Sequence, residues 1–212
     1  TEEKELCSYK GRVYDALYHD GIIYILEFCN DGTGCFCGES EEHVYRIFTS
    51  HDNGGTFNEL CIVPIPSLGR GYGSMLFDAE GKLHVYAYNK DNEQYIDHIV
   101  STDCGASWKE AEVCYVKHGL RNPQVAQIDN IYIAHGRSAA LTGFVLYTSE
   151  DGQTWDEGTF IADEKGSCYY SNTIVLKDTD GKNRMLIQYS EKYGRDDCVN
   201  VKHVWLTIEK NI

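Results

Sequence analysis

The sequence predicts an all-β fold, a β-propeller of four blades, from three observations. A strand-turn-strand unit is written four times, a Ser-x-Asp corner is written three times, and both recur with a period of about 50 residues. The whole of residues 1–212 reads as one propeller domain. The alternative count makes the chain part of a five- or six-bladed ring.

The strand-turn-strand copies are residues 14–28 (YDALYHDGIIYILEF), 74–88 (SMLFDAEGKLHVYAY), 124–137 (QVAQIDNIYIAHGR) and 171–189 (SNTIVLKDTDGKNRMLIQY). Each carries a turn pair, Asp20-Gly21, Glu80-Gly81, Asp129-Asn130 or Asp180-Gly181, between runs of apolar and β-branched residues, which is a strong hairpin signal. The turns are spaced 60, 49 and 51 residues apart. An insertion at residues 29–42 (CNDGTGCFCGESEE) accounts for the long first interval, and reads as a surface loop, with a lid or partner-binding loop as the other reading.

The corners are residues 49–57 (TSHDNGGTF), 101–108 (STDCGASW) and 148–155 (TSEDGQTW). Asp52, Asp103 and Asp151 can accept hydrogen bonds from their own turns, glycine takes the positive-φ position, and Phe57, Trp108 and Trp155 anchor the corner on neighbouring strands. A third strand enters each corner and a fourth leaves it. The fourth repeat stops after its third strand, near residue 208, and the N-terminal stretch 4–9 (KELCSY) has no repeat of its own. That stretch is expected to close the last blade by pairing the two ends of the chain, covering an open sheet edge.

A formal net charge of −14 argues against a nucleic-acid partner and, more weakly, against an anionic membrane surface. No apolar run is long enough to span a bilayer as a helix, and there is no signal-peptide pattern. The nine Cys are too scattered for a metal site, and Cys35-Phe-Cys37 supplies only two ligands, so neither metal nor cofactor is expected. Reduced, buried thiols in a cytoplasmic setting are the first reading. A secreted protein with bridges such as Cys7 with Cys198, or Cys29 with Cys35, is the second.

Strand direction alternates within a blade, so the hairpin turns and Asp corners share one face and the starts of the inner strands share the other. Arg70, Arg121 and Arg137 fall at that second face, with Asn122, His135, Tyr169, Tyr170, Glu191 and Glu27. Guanidinium groups bind a carboxylate bidentately and stay charged at any working pH. Blade-to-blade ion pairing is the plain structural reading of the same arginines. The box aspartates, on the opposite face, are structural. A general acid would need an Asp on a mobile loop near the pocket, and Asp91 and Asp15 are the candidates for it.

The Asp corner with its aromatic resembles the Asp box of the sialidase superfamily. Residues 119–126 (GLRNPQVA), 135–137 (HGR), 168–172 (CYYSN) and 186–191 (LIQYSE) are similar to inner-strand segments of bacterial sialidase-like proteins. The resemblance implies a glycoside hydrolase acting on a sialic acid or another sugar. Its arginine clamp would hold the carboxylate, with Asn122 and His135 on the sugar. Tyr169 or Tyr170 would be the nucleophile, activated by Glu191 or Glu27, because a neutral nucleophile avoids repulsion from an anionic substrate. A non-catalytic propeller that binds a glycan or a protein is the alternative.

Overall fold

The computed structural model of the chain describes residues 3, 5–34, 36–139, 143–163, 167–192 and 199–209, and among these every regular element is a strand. Blade 1 contains β1 (Gly11–His19), β2 (Ile22–Cys29), β3 (Val44–Ser50) and β4 (Asn58–Val63). Blade 2 contains β5 (Arg70–Phe77), β6 (Leu83–Asn89), β7 (Tyr95–Ser101) and β8 (Glu112–Tyr115). Blade 3 contains β9 (Arg121–Ile128), β10 (Ile131–Arg137), β11 (Phe144–Ser149) and β12 (Thr159–Ala162). Blade 4 contains β13 (Ser171–Lys177), β14 (Asn183–Lys192) and β15 (Val199–Leu206). Sheet order follows chain order in all four, so the fold is the four-bladed β-propeller that the repeat period predicts.

The chain divides into two compact units, one of residues Thr1–Asp91 with Asp97–Glu112 and one of Asn92–Ile96 with Val113–Ile212. In the first unit, alternate residues of β2 (Tyr24, Leu26, Phe28) meet Met75 of β5 and Val85 and Ala87 of β6 in a sealed core. In the second, Ile128 and Ile133 of blade 3 meet Met185, Ile187 and Tyr189 of blade 4. Burying each large apolar side chain contributes roughly 1.5–3 kcal/mol, which is what drives one sheet onto the next.

The hairpin turns come in two kinds. In blade 1 both Asp20 (φ 47°) and Gly21 (φ 83°) are left-handed, matching a two-residue turn to the strand twist. In blades 2 and 4 the loop is longer: the amide of Gly81 donates to the Asp78 carbonyl at 3.0 Å, and that of Gly181 to the Asp178 carbonyl at 2.9 Å.

The three Ser-Asp corners repeat one hydrogen-bond pattern. In the second, Ser101 Oγ donates to Asp103 at 2.7 Å and accepts the amide of Gly105 at 2.7 Å, while Asp103 accepts the amide and hydroxyl of Ser107 at 2.7 and 2.6 Å. Asp52 does the same with Ser50 and Thr56, and Asp151 with Ser149 and Thr154. These bonds hold all three carboxyls at a pKa of about 2, Asp52 and Asp103 through their threonine and serine donors and Asp151 against a burial that works the other way. Ser101 is fully buried. Ser101→Ala is expected to leave the Gly105 amide unsatisfied and lower stability by about 1–3 kcal/mol in a urea titration, whereas Thr173→Ala, on a partly exposed strand, serves as a milder control.

Two expectations are corrected. Among the described residues the last blade has three strands, and residues 5–9 join no sheet. The N-terminal stretch packs on blade 1 instead, where Cys7 Sγ donates to Glu27 at 3.2 Å and the Tyr9 ring lies 4.0 Å under the Arg46 guanidinium. A cation-π contact and a buried carboxylate hold it there. The insertion after β2 is also more than a loose loop. Its Cys37 is buried and bridges Gly71, and Gly38 exchanges backbone bonds with Arg70 and Gly69 at 2.7 and 3.0 Å. A Cβ on Gly71 would lie 2.3 Å from the Phe36 carbonyl, so this strap requires glycine beneath it. Cys7 and Cys29 are free thiols, and their suggested partners Cys198 and Cys35 lie outside the described residues.

Candidate functional site

The second unit gathers most of the residues singled out from the sequence at the start of β9 and β13. Each of these inner strands is preceded or opened by a non-glycine residue in the left-handed region, Asn122 at φ 42° and Tyr169 at φ 45°. Asparagine tolerates this; a bulky tyrosine does so only when its surroundings impose it. The two are joined, since Asn122 Nδ2 donates to the Tyr169 carbonyl at 3.4 Å, and Arg137 Nη2 reaches Asn122 Oδ1 at 3.5 Å. The pairing of β9 with β10 is bulged here, between His135 and Arg137, a local break that re-aims side chains.

Behind this edge His135 is fully buried, with Nδ1 3.0 Å from Ser171 Oγ and its ring edge-on to Phe144. Burial drops its pKa to about 3, so the imidazole is neutral and tethers β10 to β13. Tyr169 is likewise enclosed, stacked on Phe144 at 5.7 Å and beside Tyr189. Tyr170 is 52% exposed, and its backbone exchanges bonds with Ser190, amide to Oγ at 3.0 Å and carbonyl to amide at 2.9 Å. Glu191 is buried in an ion pair with Lys202 of β15. Glu191 and then, more weakly, Tyr189 and Tyr169 raise the pKa of that ammonium, while burial lowers it, so Tyr169, Glu191 and Lys202 share one electrostatic neighbourhood.

The other arginines are engaged elsewhere. Arg121 Nε lies 3.2 Å from Glu93. In the first unit Arg70 is held side-on by buried Asp97, Nε to Oδ2 at 2.8 Å and Nη2 to Oδ1 at 3.4 Å, while its Nη1 meets Asp91 at 3.3 Å. Glu27 is buried against the Cys7 thiol, whose pKa is raised by burial and by that carboxylate. Arg12 ties down the insertion through the carbonyls of Thr33 and Gly34 at 3.2 and 3.1 Å. The three arginines are thus each given a protein acceptor, two of them carboxylates.

Asp15 has the most perturbed carboxyl among these strand-end residues. It accepts the Met75 amide at 2.8 Å, the Ser74 hydroxyl at 3.0 Å and the Ala16 amide at 2.9 Å, and burial still raises its pKa to about 6. It stitches β1 to β5 beside the tilted rings of Tyr14 and Tyr72, whose centroids are 5.4 Å apart. Sequence reasoning placed Ser190 at this face but overlooked Ser171, Lys202, Asp97 and Glu93. Each is an ordinary strand or loop residue whose role comes from a partner on another strand. Among the described residues no group of three or more His, Cys, Asp or Glu is disposed to hold a metal ion, and no helix is long and apolar enough to cross a membrane.

No protein-family model matches the sequence, and no curated protein matches it. Solved structures do share the fold. An exo-β-1,3-galactanase from Clostridium thermocellum is 12% identical with a TM-score of 0.63, over 93% of this chain and 46% of that one. A mutant NanB sialidase from Streptococcus pneumoniae is 11% identical with a TM-score of 0.61, over 93% of this chain and 31% of that one. A GH43 β-xylosidase/α-arabinofuranosidase from a compost microbial metagenome, solved with xylotriose, is 12% identical with a TM-score of 0.57, over 94% of this chain and 74% of that one. This chain therefore spans less than half the length of the galactanase and sialidase chains. At these identities the likeness establishes a propeller fold that glycoside hydrolases use, and it does not separate sialidases from GH43 enzymes.

Proposed function

We propose that the chain acts on a glycan, as a propeller of glycoside-hydrolase type, with its substrate end at the strand starts shared by blades 3 and 4. The observation that carries this reading is the linked pair of left-handed residues, Asn122 and Tyr169, with Arg137 attached. Backbone strain in a non-glycine pair persists only where neighbours impose it, and such strain gathers at binding and catalytic sites. In the finer form of the proposal Arg137 takes a sugar carboxylate, Asn122 a hydroxyl, and a tyrosine beside Glu191 attacks the anomeric carbon while the carboxylate receives the phenolic proton. The glycosidic C–O bond breaks, the aglycone leaves as an alcohol protonated from solvent, and water then displaces the tyrosine, which takes its proton back from Glu191. Tyr169 acts electrostatically on Lys202, the partner of Glu191, and Tyr170 is the one that solvent reaches.

The enclosure of Tyr169 and the Glu191–Lys202 ion pair favour a second reading, in which the same edge binds a glycan without cleaving it. A panel of fluorogenic sialosides and other glycosides separates the two. Turnover that falls about a hundredfold or more in Arg137→Ala, and in either Tyr169→Phe or Tyr170→Phe, is the expected result for the hydrolase. Glycan binding lost in Arg137→Ala with no turnover in the unmodified protein is the result for the binding module. Neither binding nor turnover across the panel rejects both.

A further inference from the structure

The insertion between β2 and β3 ends in a strap, residues 36–43, that lies across the start of β5 within the first unit. The Gly38 amide donates to the Arg70 carbonyl at 2.7 Å, the Gly69 amide donates back to the Gly38 carbonyl at 3.0 Å, and the Ser67 hydroxyl reaches the Ser40 carbonyl at 3.4 Å. A Cβ on Gly38 would lie 2.0 Å from the Ser67 carbonyl oxygen, so the strap is in direct contact with the chain beneath it. One side chain closes the strap on itself. His43 is 4% exposed, with its ring edge-on to Phe28 of β2, and its Nδ1 accepts the Glu39 amide at 3.1 Å. Its own amide donates to the Ser40 carbonyl at 3.2 Å, so residues 39–43 form a closed turn around the imidazole.

A backbone N–H can only donate, so Nδ1 of His43 is the bare nitrogen of a neutral ring and the ring proton sits on Nε2, which faces the Asp31 carboxylate at 3.7 Å. An imidazolium carries a proton on both nitrogens. Its Nδ1–H would meet the Glu39 N–H across 3.1 Å, two donors with no acceptor between them. The bond that closes the strap and a protonated His43 therefore exclude each other. Residues 29–43 hold four carboxylates, Asp31, Glu39, Glu41 and Glu42, and no Lys or Arg. All four are exposed, so a cationic ring gains water and these partners by leaving its enclosed place. The neighbouring elements bring no competing free cation. Arg70 is held by Asp97 and Asp91, Arg12 of β1 is held by the Thr33 and Gly34 carbonyls, and Phe28 of β2 brings no charge. We propose that His43 is a proton-operated clasp: uptake of one proton at Nδ1 breaks the bond to the Glu39 amide and frees the strap from the start of β5. Solvent then reaches what the closed strap keeps covered, the Cys37 thiol and the Gly71 backbone.

The test is amide hydrogen exchange of the whole chain, followed by NMR at about pH 7.5 and about pH 5, on either side of the range in which an imidazole ordinarily changes charge. Each rate is divided by its intrinsic rate, so that the direct effect of pH cancels. Protection of the Gly38, Glu39 and Gly69 amides is expected to fall about tenfold or more at the lower pH, the effect of an amide losing its acceptor, while that of Val85 and Ala87 in the core of the same unit is unchanged. His43→Asn places an oxygen acceptor near the Nδ1 position and does not titrate, so it is expected to keep the strap protected at both pH values. His43→Phe removes the acceptor and is expected to show the low protection at both, with circular dichroism confirming that the strands are retained. Protection of the three strap amides that is the same at both pH values in the unmodified protein overturns the proposal. So does a fall in His43→Asn as large as in the unmodified protein, or a fall that Val85 and Ala87 share equally.

Discussion

Arg70→Ala is expected to cost the first unit about 3–5 kcal/mol, because it strips the guanidinium from a carboxylate that has nowhere to go. Asp97 is 3% exposed and already has its pKa raised by burial, with Arg70 as the main opposing influence. Without Arg70 the carboxyl must either stay charged in a dry site or take up a proton. The stability of the variant is therefore expected to fall with rising pH more steeply than that of the unmodified protein. Arg70→Lys is expected to recover only part of the loss, since an ammonium cannot reproduce the side-on contact through Nε and Nη2. The double variant Arg70→Met with Asp97→Leu is expected to be more stable than Arg70→Ala, because it removes the orphaned charge along with its partner. Urea titrations of the four proteins decide the matter. If Arg70→Ala costs less than about 1 kcal/mol, the pair is not the anchor described here and Arg70 is free to serve a ligand.

Asp15 sets the second large effect, and its sign is opposite to that of most carboxylates. Its folded pKa of about 6 lies above the ordinary aspartate value of 3.8, so the folded state binds the proton more tightly than the unfolded state does. The associated stabilisation is complete below about pH 4 and is lost as pH rises to about 6, at most roughly 3 kcal/mol by linkage. Asp52, Asp103 and Asp151 behave the other way: held at about 2, they stabilise above pH 4 and lose that contribution as pH falls toward 2. Neutral His135, whose pKa is depressed to about 3, also loses its contribution as pH falls below 6.5. The raw profile mixes these trends, so the informative quantity is the difference between the unmodified protein and Asp15→Asn. That difference is expected to change between pH 4 and 6 and to be flat above pH 7. Chemical denaturation at half-unit pH intervals measures it, and a difference that does not vary with pH would show that Asp15 titrates alike in the folded and unfolded states.

Much of the fold was legible in the sequence because it rests on local rules. Period-2 alternation in residues such as Tyr24, Leu26 and Phe28 specifies which face of β2 is buried, and the Asp20-Gly21 pair specifies how β1 returns. The Ser-Asp corners are local as well, since every bond they make lies within a few residues, and their spacing counts the blades. The site was less legible. Asn122, His135, Arg137 and Tyr169 could be placed near a strand end, and the second unit brings those four together. What no alternation rule shows is the left-handed backbone at Asn122 and Tyr169, or the bulge that turns Arg137 toward Asn122.

The sequence alone determined the four repeats of this chain, the position of each hairpin, and the separation of the corners from the strand ends, because repeats and turns are encoded within a few residues of each other. Only the tertiary structure decided which charges are already matched. Arg70 finds Asp97 across 27 residues, Glu191 finds Lys202 across a strand pair, and residues 5–9 lie on blade 1 rather than along β15. These outcomes depend on which groups lose water together when sheets stack, and desolvation is a property of the packed whole.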